Sequence, residues 1–394
     1  MRLWLAVVGS FLSLASPAFA ACDMAAPDAA HAGGETCVRP WLDSHMRLNQ
    51  LQYVGTAESY KLAPSDSMLS LIRMGGKKDA EALDFSQPPL AQQLDAGARA
   101  LEFDVAYDPQ GGLFKSPAGA SMASDLLDPA YVGAMSQPGF KVIHVLDVDF
   151  RATCLTFRDC LTQVAIWSRA HKGHLPILIA LHANDTKTPM PGATKPIAFD
   201  ASAFAALDAE IRAVFQPDEL VTPDDVKAGH ANLREAVQTS GWPQLGKARG
   251  KVIFLLDDPA QKTDLYAGPA KSLDGRPMFI ATDENSPLAS FICIEDPLKD
   301  QARISQDVTA GFIVKTRADA DTREARAGNP ARRDAAFASG AQIVATDFLM
   351  PDKKIGPYQV NLADGQKAQC DAKLPGQQCV SWNEQPRLIA AAAH

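Results

Sequence analysis

The chain reads as an α/β protein: a single barrel of eight parallel strands and surrounding helices, of the TIM type. Three observations predict it. Short apolar runs rich in β-branched residues alternate with helical patterns along the chain. Most runs lack a polar residue at every second position, as expected for parallel strands covered on both faces. Several runs end in a carboxylate or a histidine, and such a barrel keeps its chemistry at the C-terminal ends of its strands. At 394 residues, the chain is long enough for one such domain.

In chain order, the candidate strands are Asn49–Val54, Ala100–Val105, Lys141–Leu146, Pro176–Leu181 and Lys251–Leu256. Then come Met278–Ala281 or Phe291–Ile294, followed by Gly311–Thr316 and Ala341–Ala345. Taking one of the two sixth candidates gives eight. Helical patterns fill several gaps. Leu90–Ala98 precedes the second strand, and Cys160–Ala170 carries Leu161, Val164, Ala165 and Trp167 on one side. Ala203–Val214 and Arg323–Ser339 are rich in Ala, Glu and Arg, with Gly340 as a stop signal. Asp185 to Asp200, with three prolines, is a loop on the side where active-site loops belong. The domain limits read as a signal segment over 1–20, the barrel over 21–362 and a C-terminal tail over 363–394.

Composition bounds the function. Hydrophobic content of 46% and charged content of 21% are those of a folded globular protein. The net charge of −8 gives a nucleic-acid partner no electrostatic support. Arg2, the apolar stretch Leu3–Ala15 and Ala18-Phe19-Ala20 read as a secretory signal with its cleavage site. No later stretch is apolar for long enough to insert in a membrane, so a secreted or periplasmic protein is expected. The seven cysteines fit an oxidising compartment. Their economical pairing is Cys22 with Cys37, Cys154 with Cys160, and Cys370 with Cys379, the last clamping the tail. Cys293 is left over in a strand-like run and reads as a buried thiol.

Four stretches carry a resemblance. They are Gly55-Thr56-Ala57-Glu58-Ser59-Tyr60, Leu101-Glu102-Phe103-Asp104, the segment from Ile143 to Cys160 with His144, and Thr316-Arg317-Ala318-Asp319 followed by Thr346-Asp347. Together they resemble the secreted calcium-dependent phosphoinositide phospholipases C, within the phospholipase C-like phosphodiesterase superfamily. The resemblance covers roughly residues 45 to 380. It implies a hydrolase that cleaves a phospholipid, or a related glycerol or inositol phosphodiester, with two histidines and a divalent metal.

By that resemblance His144 is the general acid, and Glu102 and Asp104 are metal ligands. Their i, i+2 spacing puts both carboxylates on one side of a strand. The alternative for such a pair is an ion pair with a neighbouring Lys or Arg. Three positions depart from the family. Ala57 stands where the general-base histidine is expected, Glu58 where an asparagine ligand is expected, and His182 where a glutamate ligand is expected. The ligand set Glu58, Glu102, Asp104 and His182 keeps the family's formal charge of −3 with a neutral imidazole. The resemblance implies calcium, whereas an imidazole donor suits manganese, iron or zinc better. Glu58 is also a candidate base in place of the missing histidine.

Lys61, Lys115, Lys315, Arg317 and Asp347 are candidate substrate contacts. For Lys315 and Arg317 the alternative is a salt bridge, and for Lys115 a solvated loop position. Asp147 and Asp149 follow His144 and are placed to fix its tautomer or to bind Arg151. His171 and His174, in a helix-to-strand turn, read as structural. Two further functions stay open: an inactive barrel that binds a phosphate or phosphoinositide, and a glycerophosphodiester phosphodiesterase-like hydrolase, which shares Glu-x-Asp on the second strand.

Overall fold

In a computed structural model, residues 39–374 are described, apart from 41, 240 and 372, together with 382–383 and 385–386. The signal segment and the cysteines Cys22, Cys37 and Cys379 lie outside the described residues.

The strands are β1 (Leu51–Thr56), β2 (Ala100–Ala106), β3 (Lys141–Val142), β4 (Ile177–Ala183), β5 (Val252–Leu256), β6 (Met278–Ile280), β7 (Phe291–Cys293), β8 (Ile313–Arg317), β9 (Ile343–Thr346) and β10 (Gln369–Cys370). Eight of them form a parallel ring in the order β6-β5-β4-β2-β1-β9-β8-β7. A parallel bridge from Ala281 to Phe291 joins β6 to β7 and closes it. Both sixth candidates are therefore barrel strands. The runs are continuous in their apolar character because their residues are buried: all five positions of β5 and all four of β9 are covered.

The third candidate, Lys141–Leu146, is corrected. It forms only the two-residue β3, which runs antiparallel to the end of β2 through Val105 and Ala106. The reason lies in the edges of β2. β4 occupies one edge over six residues, from Ala100 to Val105. β1 touches the other edge only at Gly55 opposite Ala100. The strands splay apart beyond that point, and β3 fills the gap at the mouth of the barrel.

Helices cover the ring. Those that matter here are α1 (Leu90–Ala96), α2 (Phe157–Ala170), α3 (Ala201–Val214), α4 (Pro297–Thr309) and α5 (Ala331–Ser339). Thr156 and Asp200 cap α2 and α3 by accepting from Asp159 N and Ala203 N. The Cys154–Cys160 disulfide is formed and ties the first turn of α2 to the preceding loop. The expected helix over Arg323–Ser339 is two helices, Arg323–Ala327 and α5. Gly328 at φ 60° and Pro330 interrupt it, since proline lacks the N–H that a continuous helix needs. In the tail, β10 pairs antiparallel with β1 at Leu51 and Gln52.

Candidate active site at the barrel mouth

The C-terminal ends of β1, β2, β4, β5, β8 and β9 bring charged side chains together at one end of the ring. Glu58 follows β1 in a tight turn, where Lys61 N donates to Glu58 O. Its backbone has φ 45°, an uncommon state for a residue with a side chain. Ser59 stitches this turn to β2: its N donates to Glu102 O, and its Oγ accepts from Glu102 N at 2.8 Å. Glu58 is thereby held over the gap that β3 fills.

His144 follows β3 and faces Glu58. His144 Nε2 lies 3.2 Å from Glu58 Oε1, and Nδ1 lies 2.8 Å from Asp149 Oδ2. Burial disfavours the imidazolium, but Glu58, Asp149 and Asp104 outweigh it and push His144 up to about 10. That surrounding favours the doubly protonated ring, with a proton on each nitrogen facing a carboxylate. Asp149 is fixed from behind by Lys61, whose Nζ is 3.2 Å from Asp149 Oδ2 and also donates to Leu83 O and Phe85 O. Lys61 is fully buried, with its ammonium directed to Asp149 and the two carbonyls. Asp147 is spent elsewhere: its carboxylate accepts from Ala118 N, Thr194 N and Thr194 Oγ1.

The expected ligand quartet divides into two groups. Asp104 accepts from the buried Tyr60 hydroxyl at 2.8 Å. Glu58 pairs with His144, and its second oxygen, Oε2, is buried without a hydrogen-bond partner among the described residues. Glu102 and His182 instead group with Asp257, which follows β5. One donor atom from each of these three lies within 4.8 Å of the others. His182 Nε2 is 3.6 Å from Glu102 Oε2. Burial opposes charge on His182, but Glu102, Asp257 and Asp104 push it up to about 10.

Lys315, from β8, reaches into the same group. Its Nζ donates to Glu102 Oε2 at 2.6 Å and to Asp257 Oδ2 at 2.7 Å. Burial would raise both acids, yet the ammonium and His182 hold Glu102 well below the usual carboxylate range and Asp257 below its ordinary value. Two carboxylates and an imidazole suit a divalent ion in donor type and number. They fit one here on the condition that the ammonium moves away and His182 gives up a ring proton. Arg317 is paired with Asp347, Nη2 to Oδ1 at 2.6 Å. Lys115 is exposed on its loop.

A cavity of about 550 Å³ opens beside these groups, lined by Asp104, His144, His182, Asn184 and Lys262 among others. Residues 185–189 of the long loop after β4 form part of its wall. Sequence reasoning passed over Asp257, Tyr60 and Lys262. Asp257 carried a signal: it follows the apolar run Val252–Leu256 directly, the same strand-end position that marked Glu102 and His182. Tyr60 carried none, because its partner Asp104 lies on another strand; Lys262 joins Asp185 of the loop after β4 and Asp258, four residues back along the chain.

A family model described as phosphoinositide phospholipase C, Ca2+-dependent, matches residues 46–372. Among solved structures, a calcium-dependent phosphoinositol-specific phospholipase C from a Gram-negative bacterium, Pseudomonas sp, in an apo crystal form, is similar at 17% identity and a TM-score of 0.51. That match covers 84% of this chain and 96% of that one. A myoinositol complex of that enzyme gives 17% identity and a TM-score of 0.50, covering 82% of this chain and 95% of that one. A Ca2+-dependent phosphatidylinositol-specific phospholipase C from Streptomyces antibioticus matches at 19% identity and a TM-score of 0.48, covering 76% and 94%. At these identities the structural likeness is one of fold. No curated protein matches the chain at a significant level.

Proposed function

The protein belongs to the Ca2+-dependent phosphoinositide phospholipase C family and is a phosphodiesterase of that type, and on this premise we propose that it cleaves a phospholipid or inositol phosphodiester by proton transfer through His144 and Glu58. The observation that carries the reading is the clamp on His144: Asp149 on Nδ1 and Glu58 on Nε2. Nδ1–H is committed to Asp149, which fixes the ring, so Nε2–H is the proton to be given away. Both carboxylates beside His144 keep an oxygen with no hydrogen-bond partner among the described residues, but Asp149 is committed to Nδ1 and Lys61, which leaves Glu58 as the base. It takes the proton of the attacking hydroxyl as that oxygen bonds to phosphorus. The bond to the leaving oxygen breaks, and that oxygen receives the His144 Nε2 proton. Glu58 thus supplies the base that Ala57 cannot.

The cavity wall carries both signs, with His144 and Lys262 beside Asp104, Asp185 and Asp258, so an anionic substrate there would draw on a divalent ion for net positive charge. A divalent ion bound at Glu102, His182 and Asp257 would neutralise phosphoryl charge there. Calcium is the ion that the family's description names, and the imidazole donor favours manganese or zinc. The disulfide Cys154–Cys160 supports an extracytoplasmic setting. No helix among the described residues is long and apolar enough to cross a membrane.

Kinetics on phosphoinositide and glycerophosphodiester substrates test the assignment. His144→Ala and Glu58→Gln are each expected to lower kcat by about 10²–10⁴. Unchanged activity in both would remove the proposed acid and base. Complete inactivity of the wild type with every diester and metal, alongside intact phosphoinositide binding, would favour a binding barrel. A cyclic product is expected if the attacking hydroxyl belongs to the substrate, an open monoester if it belongs to water.

A further inference from the structure

Lys315 occupies the two oxygens that a cation at the barrel mouth would need. Its ammonium lies 2.6 Å from Glu102 Oε2 and 2.7 Å from Asp257 Oδ2. Its side chain is only 5% exposed, and those of Glu102 and Asp257 are 9% and 11% exposed. Water therefore offers little screening, and the charges at this place must balance among themselves. A divalent ion binds carboxylate oxygens at about 2.0–2.6 Å. An ammonium cannot remain in contact with the same two oxygens while the ion does so, because the two cations would then repel across a few ångströms of poorly screened space. Glu102 and Asp257 come from strands separated by β4, and Lys315 comes from β8 on the far side of the ring. The closed barrel holds all three at fixed positions, so only the flexible lysine stem can yield.

We propose that Lys315 is a tethered competitor for the divalent cation at Glu102, His182 and Asp257, so that loading the ion is an exchange in which the ammonium leaves Glu102 and Asp257. This rests on the reading of those three residues as the cation group. Lys315 has two consequences. Before the ion arrives, it offsets part of the charge of two buried carboxylates and keeps the mouth of the barrel intact. It also lowers the apparent affinity for the ion, since its two charge-assisted hydrogen bonds must be given up on loading. Lys315→Met removes the competitor and keeps an apolar stem of similar length.

Calorimetric titration of chelator-treated full-length protein with CaCl2, and separately with MnCl2, reads the exchange without any turnover. Lys315→Met is expected to bind at least one of the two ions about tenfold more tightly than wild type, or better. In chelator its melting temperature is expected to fall below that of wild type and to recover when the ion is added. Lys315→Gln serves the same comparison if the methionine variant does not fold. Equal or weaker binding by the lysine variants, with measurable binding by wild type, would overturn the competitor role and leave the cation site standing. If neither wild type nor variant binds either ion, the cation reading of these three residues fails and the proposal with it. Asp257→Asn is expected to lose binding in both backgrounds.

Discussion

His144 owes its proton to two carboxylates on opposite sides of one ring, and each can be removed singly. Asp149→Asn keeps the shape but takes away one anion, so the imidazole loses its orientation and part of its hold on the proton. A kcat loss of about tenfold to a hundredfold is expected, with a smaller change in KM. Steady-state kinetics against wild type check it; a change confined to KM would mean that Asp149 serves binding alone. Ala57 makes the converse point. Its side chain is fully buried, its N donates to Thr346 O and its O accepts from Gln87 Nε2. A histidine put back here meets a closed space. Ala57→His is expected to leave activity no higher and to cost about 1–3 kcal/mol in stability through overpacking. A urea unfolding curve together with a rate measurement decides it, and a variant more active than wild type would contradict this. The alanine was legible in the sequence as a missing base, but the turn that brings Glu58 to His144 was not.

At the scale of elements, the site depends on how β1 and β2 meet. A Cβ added at Gly55 would stand 2.4 Å from Ala100 Cβ and 2.9 Å from Ala100 O, closer than real atoms approach. Gly55↔Ala100 is also the one pair through which β1 and β2 are in register. Gly55→Ala should therefore force apart the two strands that carry Glu58 and Glu102. The expected loss is about 1–3 kcal/mol of stability, with activity falling at temperatures where the protein is still folded. Chemical denaturation and activity at 25 °C check both parts. The Cys154–Cys160 bond closes a short loop ahead of α2, and a loop of this size contributes about 2 kcal/mol by chain entropy. Replacing both cysteines with serine is expected to lower the melting temperature, with the reduced wild type behaving alike. Runs such as Val252–Leu256 and Ile343–Thr346 were readable as buried strands from composition alone. Lys141–Leu146 was misread because its apolar character reports burial, whereas its length as a strand was set by the free edge of β2.

For the molecule as a whole, stability should respond to acid through a histidine remote from the mouth. His174 sits before β4, buried, with Nδ1 donating to Leu175 O at 2.6 Å and Nε2 accepting from Ser168 Oγ at 2.7 Å. Burial holds it neutral and lowers it to about 4. The unfolded chain takes up this proton near pH 6.5, before the folded one does, so the contribution is complete above that pH and is lost as pH falls toward 4. The loss amounts to about 3 kcal/mol. His174→Gln should flatten the stability difference between pH 7.5 and pH 4.5; an unchanged slope would assign the acid sensitivity elsewhere. By itself the sequence determined the class of the barrel, the strand ends that carry Glu102, Asp104 and His182, and, through its motifs, the family, because periodicity and strand-end chemistry are local properties of a chain. Only the tertiary structure decided which charges face one another. Asp257 joined Glu102 and His182, Lys315 came between them from across the ring, and Asp104 turned to Tyr60. Ring closure sets those distances, and residues 58 to 213 positions apart meet at fixed geometry with no trace of it in their neighbours along the chain.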